Sequence, residues 1–267
     1  MKKIGVIAGN RRFPIVLCEE AKKKKAQVFV AAIKKETSPS IKKFADRLLW
    51  FDLGDFQRMV DFFVSYSVKE VILAGQISPW RLFSKEVQTN PQLRQFLSNL
   101  KDWRANSIFQ AIVNFLESKN LTVLPSTSFL EDYLPSKGVL TKNQPDEKLW
   151  QDINFGFEVA KKIATLDIGL SVGVKDKAIV AVEALEGTDN LILRAGKITR
   201  KGVIIVKVAR PHQDMRFDIP VIGLKTILTL KKAKASGLAI EAEKTLILDL
   251  SQCIYLCNRL GIWLVAV

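Results

Sequence analysis

The chain has 267 residues, 48% of them hydrophobic and 25% charged, which excludes wholesale disorder and leaves room for one large or two medium cores. Its apolar runs are strand-sized, far short of the roughly 20 residues a membrane span needs, and three cysteines (Cys18, Cys253, Cys257) are too few and too odd a set for a disulfide framework or a zinc site. A formal net charge of +14 suggests an anionic partner, a phosphorylated substrate or an acidic membrane surface, with a lysine-rich solvated surface as the alternative. Nucleic acid is set aside, because no zinc-finger spacing, recognition helix or aromatic–basic interleaving accompanies the charge.

Met1-Lys2-Lys3 runs straight into a strand-like stretch, so no signal peptide is expected and the cytoplasm is the expected location. Ile4–Ala8 is a short apolar run that stops at Gly9, and Pro14–Lys24 follows with helical spacing. Strand patterns recur at Val28–Ala32, Leu48–Asp52, Val71–Ala74 and Leu121–Leu124. Phe56–Tyr66 reads as a helix, and Ile108, Ile112, Phe115 and Leu116 mark the apolar face of another. Short apolar strands alternating with helices predict a parallel sheet covered on both faces, with ligands bound beyond the carboxyl ends of its strands. Two of those ends carry glycine, "IAGNRRFP" and "LAGQISPW". Asn10, Arg11 and Arg12 follow Gly9, so the three-glycine dinucleotide fingerprint is missing. A backbone approach to phosphate or sugar at these turns and plain turn geometry both remain open.

Leu134–Pro145, with Pro135, Gly138 and Pro145, reads as a linker between an N-terminal domain (1–134) and a C-terminal α/β domain (135–267). Beyond it come a helix over Leu149–Ala164, strands at Ile168–Val174 and Ala178–Leu185 and a helix from about Asp189. A strand at Val203–Val208, a helix after Thr226, a strand at Leu246–Leu248, a helix holding Cys253 and Cys257 and a final strand complete the chain.

Two stretches of this second half gather polar chemistry. In "VEALEGTDNLILRAG" Glu183, Glu186 and Asp189 lie within seven residues of one another at a helix start, where Thr188 or Asp189 can simply be the cap. "RPHQDMRFDIP" (210–220) is excluded from a helix interior by Pro211 and Pro220. As a strand it would turn Gln213, Met215 and Phe217 one way and Asp214, Arg216 and Asp218 the other, a face that reads minus, plus, minus. The carboxylates supply oxygen enough for Mg²⁺, which takes one or two of them plus waters and phosphates. Lys207 and Lys225 flank the second stretch and can offset phosphate charge.

"IGVIAGNRRFP", "LDIG", "EGTDNLILRAG" and "KVARPHQDMRFDIPVIGLKT" occur in the order and spacing of the LpxI-type UDP-2,3-diacylglucosamine pyrophosphatases of lipid A biosynthesis, and the chain resembles that family over essentially its whole length. The resemblance implies a Rossmann-like N-terminal domain with a parallel sheet, a second α/β domain, and substrate held between them. It implies Mg²⁺-dependent hydrolysis of UDP-2,3-diacylglucosamine to UMP and lipid X, with Mn²⁺ as the alternative hard cation, and a homodimer. The family's essential acidic residue falls on Asp218. Residue chemistry adds Asp189 and Asp214 as catalytic candidates and makes Asp218, Asp189 and Glu186 the expected metal set. Expected substrate contacts are Gly9, Asn10, Gly75 and Gln76 at the glycine turns, with Thr188, Lys207, Gln213, Arg216 and Lys225 in the second half. His212 is read as a bystander, since the family motif does not require histidine there.

Three departures stand out: Leu170 where the family usually has glutamine, Asn10-Arg11-Arg12 in place of a glycine-rich start, and "RANSIF" (104–109) without an acidic pair. The alternatives are hydrolysis of another nucleotide-sugar or lipid-linked diphosphate, and a non-catalytic protein that binds a UDP-sugar or lipid phosphate. An acylated substrate together with the lysine excess implies transient attachment to an anionic membrane surface, on the cytoplasmic face of the inner membrane.

Overall fold

The computed structural model describes residues 1–267, the side chain of Pro79 excepted. It divides into two compact units, Met1–Glu131 with Asp214–Asp218, and Asp132–Gln213 with Ile219–Val267.

The first unit runs β1 (Lys3–Ala8), α1 (Phe13–Lys23), β2 (Gln27–Ile33), β3 (Arg47–Phe51), α2 (Phe56–Ser65), β4 (Glu70–Ala74), α3 (Lys85–Thr89), α4 (Pro91–Ser98), α5 (Ala105–Ser118) and β5 (Thr122–Leu124). Its five strands lie in the order β3-β2-β1-β4-β5 and every neighbouring pair is parallel. β1, β2 and β4 are buried along nearly their whole length, which is why they read as unbroken apolar runs rather than alternations. On one face lies α1, begun by Pro14 and closed by Lys22 and Lys23, with Val16, Leu17 and Ala21 buried. A second cluster joins Phe29 and Val71 of the sheet to Met59 and Phe63 of α2 and Val113 and Leu116 of α5. Full burial of a side chain such as Phe63 stabilises by roughly 2–3 kcal/mol. The short helices α3 and α4 escape the periodicity reading because neither spans three turns, although Asn90 caps the second by accepting from the Leu93 amide at 2.9 Å.

The second unit runs β6 (Gly138–Val139), α6 (Glu147–Thr165), β7 (Ser171–Lys175), β8 (Ala178–Val182), α7 (Thr188–Thr199), β9 (Ile204–Lys207), β10 (Val221–Ile222), α8 (Leu224–Lys232), β11 (Gly237–Ile240), β12 (Leu246–Ile247), α9 (Leu250–Leu260) and β13 (Trp263–Ala266). Six strands form one mixed sheet in the order β6-β13-β11-β9-β7-β8, parallel through β13, β11 and β9 and antiparallel at both margins. β10 and β12 pair separately. α6 packs Ile153, Ala160 and Ala164 against Val172 and Val206. A separate cluster holds Ile192 and Ala195 of α7, Ile227 and Leu230 of α8, and Cys253 and Cys257 of α9 with Ile205 and Leu238. All three cysteines are free and buried, and burial pushes their thiols up to about 12, as core side chains require.

Four features differ here from the sequence reading. The linker over Leu134–Pro145 carries β6, paired antiparallel with β13, and Thr141 Oγ1 accepts from the Leu264 amide at 3.0 Å. The strand expected from Ile168 starts at Ser171. β11 has no counterpart in the sequence reading, yet it pairs on both sides, and its four residues are too few to show a period. The short stretch 214–218 also joins the first unit rather than the one around it, because Phe217 enters that unit's apolar cluster at 1% exposure. No helix among the described residues is long and apolar enough to cross a membrane.

Candidate functional site

In the second unit the EGTD stretch is a turn that delivers a buried polar chain. Gly187 takes φ +80° and α7 begins at Thr188. The Thr188 hydroxyl donates to Glu183 Oε1 at 2.7 Å and accepts from Lys207 Nζ at 2.9 Å. Lys207, the last residue of β9, also donates to Ser171 Oγ at 3.4 Å and lies 3.8 Å from Glu183 Oε2. Ser171, Glu183 and Lys207 are all buried, and Glu183 Oε2 has no hydrogen-bond donor. A buried ammonium held by two hydroxyls and one carboxylate is a preset positive charge in a low-dielectric place, with one carboxylate oxygen left over. Glu183 and Ser171 are absent from the expected set of site residues, although the sequence already placed Glu183 in one acidic cluster with Glu186 and Asp189.

Asp189 and Lys225 come together, with an ion pair of 2.9 Å from α8 to the first turn of α7. Glu186 turns to other work. It accepts from Arg194 at 2.5 Å and from the Ala184 amide at 3.0 Å. Burial pushes its carboxyl up, but these bonds and its own amide outweigh that and hold it below its ordinary value. Asp218, in turn, belongs to the first unit. Within neither unit do three histidine, cysteine, aspartate or glutamate side chains converge as a metal would require, among the described residues. Glu183 Oε2 is a buried carboxylate oxygen without a hydrogen-bond donor, and Asp189 follows Thr188 in the first turn of α7.

The second motif is rooted in the second unit. Ala209 donates its amide to Glu241 Oε2 at 2.8 Å, and Lys161 bridges the Ala209 carbonyl at 2.8 Å to the same carboxylate at 3.0 Å. Arg210 Nε donates to Asp167 at 2.8 Å. Gln213 Oε1 accepts from the Arg210 amide at 3.3 Å, so this side chain braces the loop.

The tip of the motif is a chain of turns, not a strand, and the expected minus–plus–minus face does not form. Arg216 folds back on Asp214 with Nε–Oδ1 and Nη2–Oδ2 at 3.0 and 2.7 Å, and its other arm reaches Glu117 at 2.9 Å. The guanidinium holds the Asp214 carboxyl below its ordinary value, and Asp214 holds Arg216 above its own. Asp218 takes φ +47°, a left-handed conformation in which aspartate is among the few tolerated side chains.

The glycine turns of the first unit meet each other. Gly9 donates its amide to the Ala74 carbonyl at 2.8 Å and Asn10 to the Gln76 carbonyl at 2.7 Å. A Cβ on Gly9 would sit 2.3 Å from the Gln76 carbonyl oxygen, and one on Gly75 2.6 Å from that of Asn10. Close backbone approach at the topological switch between β1 and β4 is thus what these glycines serve. The Asn10 amide nitrogen is spent on Glu36 at 2.6 Å and Ser78 at 3.0 Å, and Glu36 is held in turn by the buried Arg81 at 3.4 Å. Glu36, Ser78 and Arg81 lie beyond what motif spacing can reveal, since Glu36 follows β2 while Ser78 and Arg81 follow β4.

A parallel α/β unit and a mixed α/β unit, each with polar chemistry at the carboxyl ends of its strands, define a two-domain α/β protein. The chain matches the LpxI N-terminal domain over residues 3–133 and the LpxI C-terminal domain over residues 136–265, and it belongs to the LpxI family. It is 24% identical over 277 residues to the UDP-2,3-diacylglucosamine pyrophosphatase LpxI of Caulobacter vibrioides, a match covering 100% of this chain and 98% of that protein. Among solved structures it is similar to the biotin carboxylase domain of Hydrogenobacter thermophilus 2-oxoglutarate carboxylase, at 11% identity and TM-score 0.30, over 74% of this chain and 32% of that one. It is also similar to N5-carboxyaminoimidazole ribonucleotide synthetase of Thermotoga maritima, at 19% identity and TM-score 0.25, over 65% and 38% of the two chains. Likenesses this weak carry no argument about chemistry.

Proposed function

We propose that this chain hydrolyses the pyrophosphate bond of UDP-2,3-diacylglucosamine. Water adds as one P–O bond breaks, and UMP and the acylated sugar phosphate, lipid X, are released. The observation that carries the reading is the buried Lys207–Thr188–Glu183 chain at the head of α7, in a protein matched to both LpxI domains. Negative charge grows on the leaving phosphate in such a reaction, and a positive charge already fixed in a dry place offsets it without reorganising. Lys207 has that property, Thr188 holds it in line, and Lys225 adds a second cation beside Asp189. Asp218 is the acidic residue on which turnover depends in this reading. Asp214 serves as the support of Arg216 and not as a proton carrier.

Mg²⁺, or Mn²⁺ in its place, would be held by Asp189 and the spare oxygen of Glu183, with water and phosphate oxygens completing the shell. When bound it supplies charge neutralisation at the pyrophosphate. The glycine turns with Asn10 and Gln76 are assigned to substrate. Its acyl chains come from a bilayer, so reversible attachment to the anionic cytoplasmic face of the inner membrane belongs to the same reading.

The test is incubation of the purified chain with UDP-2,3-diacylglucosamine and Mg²⁺, following UMP and lipid X by mass. Binding without UMP release would make it a non-catalytic sensor. Equal turnover of UDP-sugars that lack acyl chains would move it to another diphosphate substrate.

A further inference from the structure

The tip of the second motif is anchored by two residues that no motif marks. Ser126 follows β5 and is 1% exposed. Its amide donates to the Met215 carbonyl at 2.6 Å. Its hydroxyl lies 2.8 Å from the Arg216 carbonyl and 2.7 Å from that of Leu73 in β4, so a single proton is shared between the tip and the sheet. One residue further on, Phe217 stacks on Phe109 of α5 with ring centroids 5.6 Å apart and an interplanar angle of 11°. Asp218 comes next, with φ +47°, in a left-handed conformation that aspartate tolerates better than most side chains. Three successive residues before Asp218 are thus fixed, two at the carboxyl ends of β4 and β5 and the third against α5.

We propose that Ser126 and Phe109 are positioning residues for the hydrolysis: they hold the backbone of 215–217, and through it the placement of Asp218. The proposal rests on the role given to Asp218 above. Ser126 acts by hydrogen bonds to two consecutive carbonyls, and Phe109 by a ring contact, so the two anchors are chemically independent. An aromatic ring at 217 alone would secure burial, but the serine sets the angle at which the chain leaves the sheet. A displacement of about 1 Å at a reacting group costs on the order of 100-fold in rate.

The experiment compares Asp218→Ala, Ser126→Ala, Ser126→Thr and Phe109→Leu in the full-length chain with UDP-2,3-diacylglucosamine. Ser126→Ala should lower kcat by about 10- to 100-fold with KM within about twofold of wild type. Ser126→Thr, which keeps the hydroxyl, should recover most of the loss. Trypsin should cut after Arg216 faster in Ser126→Ala and Phe109→Leu than in wild type, because the tip opens without global unfolding. Near-wild-type activity of Asp218→Ala would sink the role of Asp218 itself. Loss of activity in Asp218→Ala, with Ser126→Ala folded, uncut after Arg216 and at wild-type kcat, would overturn the positioning proposal alone. Loss in Ser126→Ala through KM only, with no recovery in Ser126→Thr, would also overturn it.

Discussion

Lys207 and Thr188 share a hydrogen bond of 2.9 Å that joins the end of a central strand to the first residue of a helix. The ammonium ends there instead of at the nearest carboxylate, since Glu183 Oε2 is 3.8 Å away and its partner oxygen is taken by the threonine. The cation is therefore placed by the threonine with Glu183 as its counter-ion at 3.8 Å, and the proposed reaction uses that charge at the phosphate. Removing it should be costly twice over. Lys207→Met leaves Glu183 buried without its cation, a loss of roughly 3–5 kcal/mol of stability, and should abolish turnover. Adding Glu183→Gln should return much of the stability and none of the activity. Urea unfolding with a parallel activity assay checks this; turnover in either variant would show that Lys207 is structural only.

The proposed Mg²⁺ site makes activity depend on the metal. Asp189 and the spare oxygen of Glu183 are hard ligands, and a pair of carboxylates holds Mg²⁺ weakly enough that a chelator removes it. Activity should vanish in excess EDTA and return with Mg²⁺. Asp189→Asn should raise the Mg²⁺ concentration needed for half activity, whereas Glu186→Gln should leave it nearly unchanged, since Arg194 already occupies Glu186. Full turnover after exhaustive chelation would remove the metal from the reaction.

The parallel sheet was legible because its inner strands are buried on both faces, so apolar runs such as Val28–Ala32 and Val71–Ala74 stood out from their surroundings. The residue types and the positions of Thr188, Lys207 and Asp189, at a strand end or helix start, could be read from the sequence, but the contacts that join them could not. Ser126 was not. Its role comes from carbonyls at positions 73, 215 and 216, a set of contacts made by folding and invisible to local spacing. Arg216 was misplaced for a related reason. Alternation assigns a side chain to a face only if the backbone is extended, and the prolines and Asp218 break that condition. β11 was missed because four residues cannot display a period.

Acid should loosen the motif tip. Hydrogen bonds from the Arg216 guanidinium hold the folded Asp214 carboxyl below its unfolded value, so the folded chain binds fewer protons there. The stability this contributes is present above the unfolded value, about 3.9, and is lost as pH falls through the folded one. Between pH 5 and 8 Asp214 contributes no slope. Urea unfolding at pH 6 and pH 3 should show a smaller acid loss in Asp214→Asn than in wild type. Identical losses would mean that the Arg216 pair is too loosely held to matter.

The lysine excess is unevenly available to a membrane. In the first unit Lys22 pairs with Asp46 at 2.9 Å, Lys23 with Glu20 at 2.8 Å and Lys24 with Glu131 at 2.7 Å, so most of that run is already offset. Lys231 and Lys232 at the end of α8, with Lys234 just beyond, are exposed and carry no ion pair among the described residues. Each cation favourably placed at an anionic surface adds about 1 kcal/mol. The chain should therefore float with vesicles rich in anionic lipid at low salt and stay behind with neutral ones. Binding should fall as the screening length shrinks from about 30 Å at 0.01 M salt to about 8 Å at 0.15 M. Changing Lys231, Lys232 and Lys234 to alanine should weaken binding to anionic vesicles by about 100-fold, from roughly 3 kcal/mol of lost attraction. The same change at Lys22, Lys23 and Lys24 should do much less, because it also frees the three carboxylates. Equal losses from the two triplets, or binding that ignores salt, would place the attachment elsewhere than in these lysines.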